Sequence, residues 1–146
     1  MEKFLELLDI ETMSEEQVKL ISPLKLAYIG DAVYEVYIRS YVVNKIKTNV
    51  NSMNKMAVKY VKAEAQAKVA RGLKDLVSEK EWTILKRGRN QKSATVAKNA
   101  SIGDYRYATG FEALIGYLYL SGNNDRIREI IKYSIDVLEG KVNNEL

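Results

Sequence analysis

Residues Leu26–Val36 read LAYIGDAVYEV, a largely apolar stretch with Asp31 at its centre. A second such stretch, Thr109–Leu120, reads TGFEALIGYLYL and carries Glu112. A carboxylate in apolar surroundings must be paired, protonated or bound to a metal ion, because an isolated charge in a low-dielectric interior costs several kcal/mol. Asp31 and Glu112 are therefore the first candidates for a functional site.

Small residues surround both acids. They are Ala27, Gly30 and Ala32 around Asp31, and Gly110, Ala113 and Gly116 around Glu112. Because a glycine inside a helix costs about 1 kcal/mol relative to alanine, its recurrence indicates the close approach of another backbone. The pattern predicts two helices that cross at these positions, with the two carboxylates facing one another. Such a pair must share a proton or a cation, and a magnesium ion with its waters suits it.

Both acids also have a structural interpretation. Asp31 could pair with Lys25 or Arg39, and Glu112 could lie on a polar surface stripe, since ion pairs also place acids in cores. Glu35 lies one turn after Asp31, and we expect it to form an exposed i, i+4 pair with Arg39.

Length and composition limit the chemistry. The chain has 146 residues, which suits one domain, so we expect a single domain over residues 1–146. It contains neither cysteine nor histidine. This excludes disulfides, histidine-based catalytic triads and the commonest zinc ligands. Magnesium or manganese, which prefer oxygen ligands, are the remaining candidates for a metal site.

The sequence predicts a soluble, cytoplasmic protein that does not enter the membrane. Its N-terminus, MEKFLELLDIETMSEE, is acidic and lacks the features of a secretory signal. The longest apolar runs are interrupted by Asp31, Glu35 and Glu112, well short of the roughly 20 residues that a membrane span needs.

Helical periodicity of the apolar residues predicts an all-α fold. The chain has one proline and eight glycines, few of the residues that separate short strands. Predicted helices cover about residues 14–21, 22–43, 50–71, 78–86, 104–121 and 125–139. Serines at 14, 22 and 78 are suited to cap the first, second and fourth helices.

Positive charge is concentrated between Lys86 and Arg106, where no sustained periodicity follows Lys86 and a loop is predicted. Its six cations are Lys86, Arg87, Arg89, Lys92, Lys98 and Arg106, and its one acid is Asp104. Interleaved with polar side chains, they suit the phosphates and ribose hydroxyls of an RNA duplex. The alternative is a solvated loop that only aids solubility.

The pair LAYIGDAVYE and, far downstream, FEALIGYLYL resembles the catalytic domain of the ribonuclease III family, whose two acidic helices carry a similar GDA and FEALIG. The resemblance spans roughly residues 23–140. The intervening LKRGRNQKS and the short length resemble most the mini-ribonuclease III branch, which lacks a double-stranded-RNA-binding domain.

This resemblance implies an all-helical homodimer with one ribonuclease III-type endonuclease domain, which cleaves double-stranded RNA with magnesium and matures precursor ribosomal RNA. By motif position, Asp31 and Glu112 match catalytic residues that are also metal ligands, and Tyr28 matches an aromatic residue at the dimer interface. The chain has Leu24, Ala27 and Thr109 where ribonuclease III has further acids, which predicts a thinner metal shell.

The hypothesis is therefore metal-assisted phosphodiester hydrolysis at Asp31 and Glu112. Two other classes remain open at this stage. A non-catalytic module would bind duplex RNA without cutting it, and a helical protein-interaction domain would not bind RNA.

Overall fold

The computed structural model describes residues 7–91 and 101–141. Within these ranges it contains seven α-helices and no strand, which confirms the all-α prediction. The helices are α1 (Glu15–Lys19), α2 (Pro23–Lys45), α3 (Val50–Val61), α4 (Ala63–Gly72), α5 (Glu79–Arg89), α6 (Ile102–Leu120) and α7 (Asn124–Leu138). None of the described helices combines the length and the apolar character that a membrane span requires.

Helix α6 is the centre of the fold. Every residue from Ala108 to Tyr119 is buried except Glu112, which is half-buried. Helices α2, α4 and α5 pack along α6, while α3 packs on α2 and α7 covers parts of α3, α4 and α6. A helix that is apolar on nearly all sides is stable only when neighbours cover all those sides. The apolar run TGFEALIGYLYL therefore specifies the core helix.

Glycines allow the backbones of α2 and α6 to touch, as the small residues predicted. A Cβ atom on Gly30 would overlap the carbonyl oxygen of Glu112 and lie 2.8 Å from the Gly116 nitrogen. A Cβ atom on Gly116 would overlap the carbonyl oxygen of Leu26 in the same way. The crossing of the two acidic helices is therefore confirmed, and it is set by backbone contact rather than by interlocking side chains.

Helix α5 continues past the predicted end at Lys86, because Gly88 is a packing residue and not a helix stop. A Cβ atom on Gly88 would lie 2.9 Å from Ala113 Cβ and 2.9 Å from Gly110 Cα. Helix α5 therefore also crosses α6 closely, although less closely than α2 does at Gly30, and the predicted loop begins only at Asn90. The Ser78 cap at its start is confirmed, with the capping box to Glu81.

The single helix predicted over residues 50–71 is wrong, since the structure breaks it into α3 and α4 at Lys62. Lys62 has φ −63° and ψ 152°, an extended conformation that ends one helix and begins the next. The break lets the two halves pack on different neighbours, α3 on α2 and α4 on α6. Gln66, on α4, is buried despite its polar side chain.

The C-terminal end of α7 is tied to α2 and α3 by one carboxylate. Glu139 accepts hydrogen bonds from the hydroxyls of Tyr41 and Tyr60, the second at 2.8 Å, and pairs with Lys141 at 2.9 Å. These partners lower the pKa of Glu139 to about 2, the Tyr41 hydrogen bond first among them. The chain then turns at Gly140, which has φ 77°.

Replacement of Gly30 by alanine should destabilise the fold by at least about 3 kcal/mol, because the new methyl group meets backbone that cannot move aside. The midpoint of urea denaturation, followed by circular dichroism, measures this loss. Gly103→Ala is the matched control on α6, since its Cβ would have no neighbour nearer than 3.8 Å. That variant should be as stable as the original protein or slightly more stable. Equal midpoints for the two variants would contradict the backbone contact.

Candidate active site

Asp31 and Glu112 meet where α2 crosses α6. Asp31 follows Gly30, the residue whose missing side chain allows the contact, and Glu112 contributes the carbonyl group on the other side of that contact. The two carboxyl groups are close enough to share a hydrogen bond. The structure thus brings together the two acids that are 81 positions apart in the sequence.

The two acids differ in their exposure. Glu112 is half-buried within the otherwise buried part of α6, whereas Asp31 is exposed at the surface of the single chain. The expectation that apolar surroundings enclose both acids is therefore wrong for Asp31. The side of α2 that carries Tyr28 and Asp31 is exposed in the single chain.

The protonation of Glu112 reflects this position. Burial, followed by the hydrogen bond and the negative charge of Asp31, raises the pKa of Glu112 to about 9. Near neutral pH, without a cation, Glu112 therefore holds a proton that it shares with Asp31. A divalent cation that binds both groups must displace this proton.

The alternative pairing of Asp31 is not observed. Among the described residues, no ion pair links Asp31 to Lys25 or Arg39. Arg39 Nη2 instead lies 3.3 Å from Glu35 Oε2, which confirms the exposed i, i+4 pair. Asp31 therefore keeps its carboxylate directed to the crossing, with Glu112 as its neighbour.

The donors present fit a magnesium ion that keeps much of its water. No group of three acidic, histidine or cysteine side chains occurs in the described parts of the chain. Ala27 and Leu24 offer no ligand atom, and the hydroxyl of buried Thr109 donates to the Tyr105 carbonyl oxygen at 3.0 Å. Mg²⁺ typically binds through one or two carboxylates, waters and substrate phosphates, which matches a two-carboxylate site.

The predicted RNA-binding cations divide into helical residues and residues outside the described ranges. Lys86, Arg87 and Arg89 lie in the last turn of α5 rather than in a loop, and Arg106 lies exposed on α6. Lys92 and Lys98 lie outside the described residues. Helical geometry holds the first three in place, because their backbone is bonded within α5.

Two of these arginines have internal partners. Arg87 Nη1 donates to the carbonyl oxygen of Lys19 at 3.1 Å, which links α5 to the end of α1. Arg89 Nη1 donates to the Tyr107 hydroxyl at 3.4 Å. Arg71 on α4 joins the same tyrosine, with its guanidinium 4.6 Å from the ring centroid. Sequence reasoning missed Arg71, since no motif marks it.

Comparison with known proteins places both acidic residues within a known family domain. Residues 24–123 match the Ribonuclease III domain, a span that includes both acidic helices. The chain belongs to the ribonuclease III family. Within it, the chain is 49% identical over 136 residues to a mini-ribonuclease 3 of Clostridium tetani, covering 92% of this chain and 90% of that one. It is 50% identical over 129 residues to a mini-ribonuclease 3 of Thermoanaerobacter, covering 88% and 91%.

A solved structure has a similar fold. A crystal structure of a protein from Fusobacterium nucleatum is 31% identical and superposes with a TM-score of 0.74, covering 79% of this chain and 93% of that one. Ribonuclease III membership makes the chain an endoribonuclease, a phosphodiester hydrolase of RNA. The catalytic and metal-binding roles of Asp31 and Glu112 stay predictions.

The raised pKa of Glu112 predicts that stability falls with pH in the absence of metal. The folded state holds this proton up to about pH 9, whereas an unfolded glutamate releases it near 4.5, so the free energy of unfolding falls as pH rises between these values. Glu112→Gln should therefore melt at a higher temperature than the original chain in EDTA at alkaline pH. Calorimetric melting curves over this pH range measure the difference.

The difference in melting temperature between Glu112→Gln and the original chain should shrink as pH falls toward 4.5, because residue 112 is then neutral in both proteins. In Asp31→Asn the pH dependence should weaken but persist, since burial is the larger cause of the pKa shift. Melting temperatures that run parallel for Glu112→Gln and the original chain at all pH values would contradict this account.

Proposed function

We propose that this chain is a magnesium-dependent endoribonuclease that cleaves double-stranded RNA. The observation that carries the proposal is the contact between exposed Asp31 and half-buried Glu112, where burial and the neighbouring Asp31 carboxylate raise the pKa of Glu112 to about 9. Membership of the ribonuclease III family supports the same reaction. Manganese, which takes similar oxygen ligands, would serve in place of magnesium.

The two acids have distinct tasks in this mechanism. Asp31, exposed to solvent, presents its carboxylate to an incoming ion and to the RNA. Glu112 gives up its proton and supplies the second ligand from the protein side. A bound magnesium ion would supply Lewis acidity to the phosphodiester and lower the pKa of a water molecule. Because the protein offers only these two carboxylates, waters and phosphate oxygens would have to supply the other ligands of the ion, so metal and RNA should bind cooperatively.

The cations hold the RNA backbone. Lys86, Arg89 and Arg106, with Lys92 and Lys98 in the adjacent segment, would contact phosphates, while Arg87 also braces α5 against α1. These contacts would fix the register of the duplex without reading its bases. We propose precursor ribosomal RNA as the natural substrate, on the resemblance to mini-ribonuclease III, and the cytoplasm as the place where the two meet.

Asp31→Asn should lower the rate of cleavage of a long RNA duplex in magnesium by at least about a hundredfold, because the change removes one of two ligand charges. Gel analysis of end-labelled RNA under single-turnover conditions measures the rate. EDTA should abolish the cleavage by the original chain, and added magnesium should restore it.

Glu35→Gln is the matched control, since Glu35 lies one turn from Asp31 on α2 and pairs with Arg39 at the surface. Its cleavage rate should stay within about twofold of the original. Cleavage by Asp31→Asn at the original rate would refute the assigned site. Binding of duplex RNA by the original chain without any cleavage in magnesium or manganese would favour the non-catalytic module instead.

We also propose that two copies associate through α2. Its surface carries large apolar side chains that no described residue covers, with exposures of 84% for Tyr28, 43% for Leu24, 55% for Val36 and 58% for Val43. Exposed apolar side chains collected on one element are typical of an interaction surface. A two-fold axis there would place two active sites on one duplex, one for each strand.

Tyr28→Lys should convert the dimer into a monomer, because it places a charge in the centre of the proposed interface. Sedimentation velocity over a range of protein concentrations measures the mass. Leu76→Lys is the control, since Leu76 is 54% exposed but lies in the turn after α4. An original chain that sediments as a monomer at all concentrations, or a Tyr28→Lys protein that stays dimeric, would contradict the proposal.

A further inference from the structure

Two arginines from two other helices lie against the ring of Tyr107 on α6. The guanidinium carbon of Arg71, on α4, lies 4.6 Å from the centroid of the Tyr107 ring. The guanidinium carbon of Arg89, at the end of α5, lies 5.4 Å from the same centroid. Residues of three helices therefore meet at the Tyr107 ring. We call Arg71 and Arg89 the arginine pair.

Further contacts fix both guanidinium groups. Arg71 Nη1 lies 2.9 Å from Asp104 Oδ1, in the first turn of α6. Arg89 donates from Nη1 to the Tyr107 hydroxyl at 3.4 Å and from Nε to Asn90 Oδ1 at 3.1 Å. Long flexible side chains held by several contacts lose less entropy when they bind a ligand.

The charge of the arginine pair is only partly balanced. Asp104 neutralises Arg71, but Arg89 has no carboxylate partner among the described residues. Elsewhere in the described chain, Arg39, Arg126 and Arg128 pair with carboxylates, whereas Arg87 and Arg106, like Arg89, form no ion pair with a described residue. Exposed Arg106 adds a third positive charge directly before Tyr107. The cluster is therefore a site of excess positive charge that an anion would stabilise.

A purely structural role explains this arrangement less well. The ion pair between Arg71 and Asp104 already links α4 to α6, and a neutral side chain at position 89 would avoid repulsion between two cations. The side chain of Arg71 is 48% exposed, so its remaining N–H groups face solvent. Guanidinium groups whose remaining N–H donors have no internal partner are suited to phosphate oxygens.

We propose that Arg71 and Arg89 together bind a backbone phosphate of double-stranded RNA, and that Tyr107 is the positioning residue that holds them. This inference rests on the proposed function and adds Arg71 to its RNA contacts. Tyr107 precedes Glu112 by five residues, which places it about 7.5 Å along the helix and about 140° around it. The phosphate bound there is thus not the one that is cleaved.

A contact remote from the reacting phosphate should affect binding and not the chemical step. Arg71→Gln should weaken the binding of a long RNA duplex roughly tenfold and reduce the slope of log K against log salt by about one, because one phosphate contact is lost. Fluorescence anisotropy in EDTA, over a series of KCl concentrations, measures both. Single-turnover cleavage at saturating protein should keep its rate constant.

Arg128→Gln is the matched control, because Arg128 is also an exposed arginine paired with one carboxylate, Asp125. It should change binding less than twofold. Tyr107→Leu should weaken binding as Arg71→Gln does, Tyr107→Phe should retain most of it, and the double variant Arg71→Gln/Tyr107→Leu should lose less than the product of the two single losses.

Equal binding and salt slope for Arg71→Gln and Arg128→Gln would overturn the inference. The inference would also be overturned if Arg71→Gln and Tyr107→Phe both lowered the melting temperature and weakened RNA binding in proportion. That result would mean that the cluster only stabilises the fold. Failure of the proposed function gives a different result. In that case the original chain would not cleave the duplex with magnesium, whatever Arg71→Gln does to binding.

Discussion

The contact between the backbones of α2 and α6 determines the position of everything else in the site. At Gly30 and Gly116 no side chain separates the two helices, so their axes approach more closely than ridges of larger side chains allow. The helical glycines cost conformational entropy, which the burial of α6 offsets. Asp31 and Glu112 flank this contact, and their proximity is therefore a property of the fold rather than of flexible side chains.

The electrostatics of the site follow from that contact. A half-buried carboxyl beside an exposed one cannot ionise freely, so Glu112 keeps its proton until a cation arrives. Leu24, Ala27 and Thr109 add no further carboxylate, and Thr109 uses its hydroxyl within α6. Two carboxylates alone would therefore form a weak site for the proposed metal ion. In the proposed reaction the RNA phosphate supplies ligands as well as the bond to be cut, which links metal occupancy to substrate.

The predictable parts of this structure are those with local chemical signals. Ser14, Ser22 and Ser78 cap helices as predicted, because a serine side chain can satisfy a free N–H group at the helix start. The break at Lys62 has no such signal, since neither proline nor glycine marks it and only packing on two different helices explains it. The sequence predicts the end of α5 too early for a related reason: the residues after Lys86 are polar and lack apolar periodicity, while the close packing of Gly88 on α6 has no signal in the sequence.

The position of Asp31 shows the limit of arguments from apolar sequence. The pattern LAYIGDAVYEV places apolar residues on every side of α2, yet the chain buries only one side and leaves Tyr28 and Val36 exposed with Asp31. A sequence pattern that is apolar on all sides predicts that a helix is buried on all sides, but it does not tell whether the residues that bury it belong to the same chain. The proposed second copy would resolve this conflict, because it would cover the exposed side of α2. In the proposed dimer the exposed apolar side chains and the exposed acid would belong to one feature, an active site at the edge of the interface between the two copies.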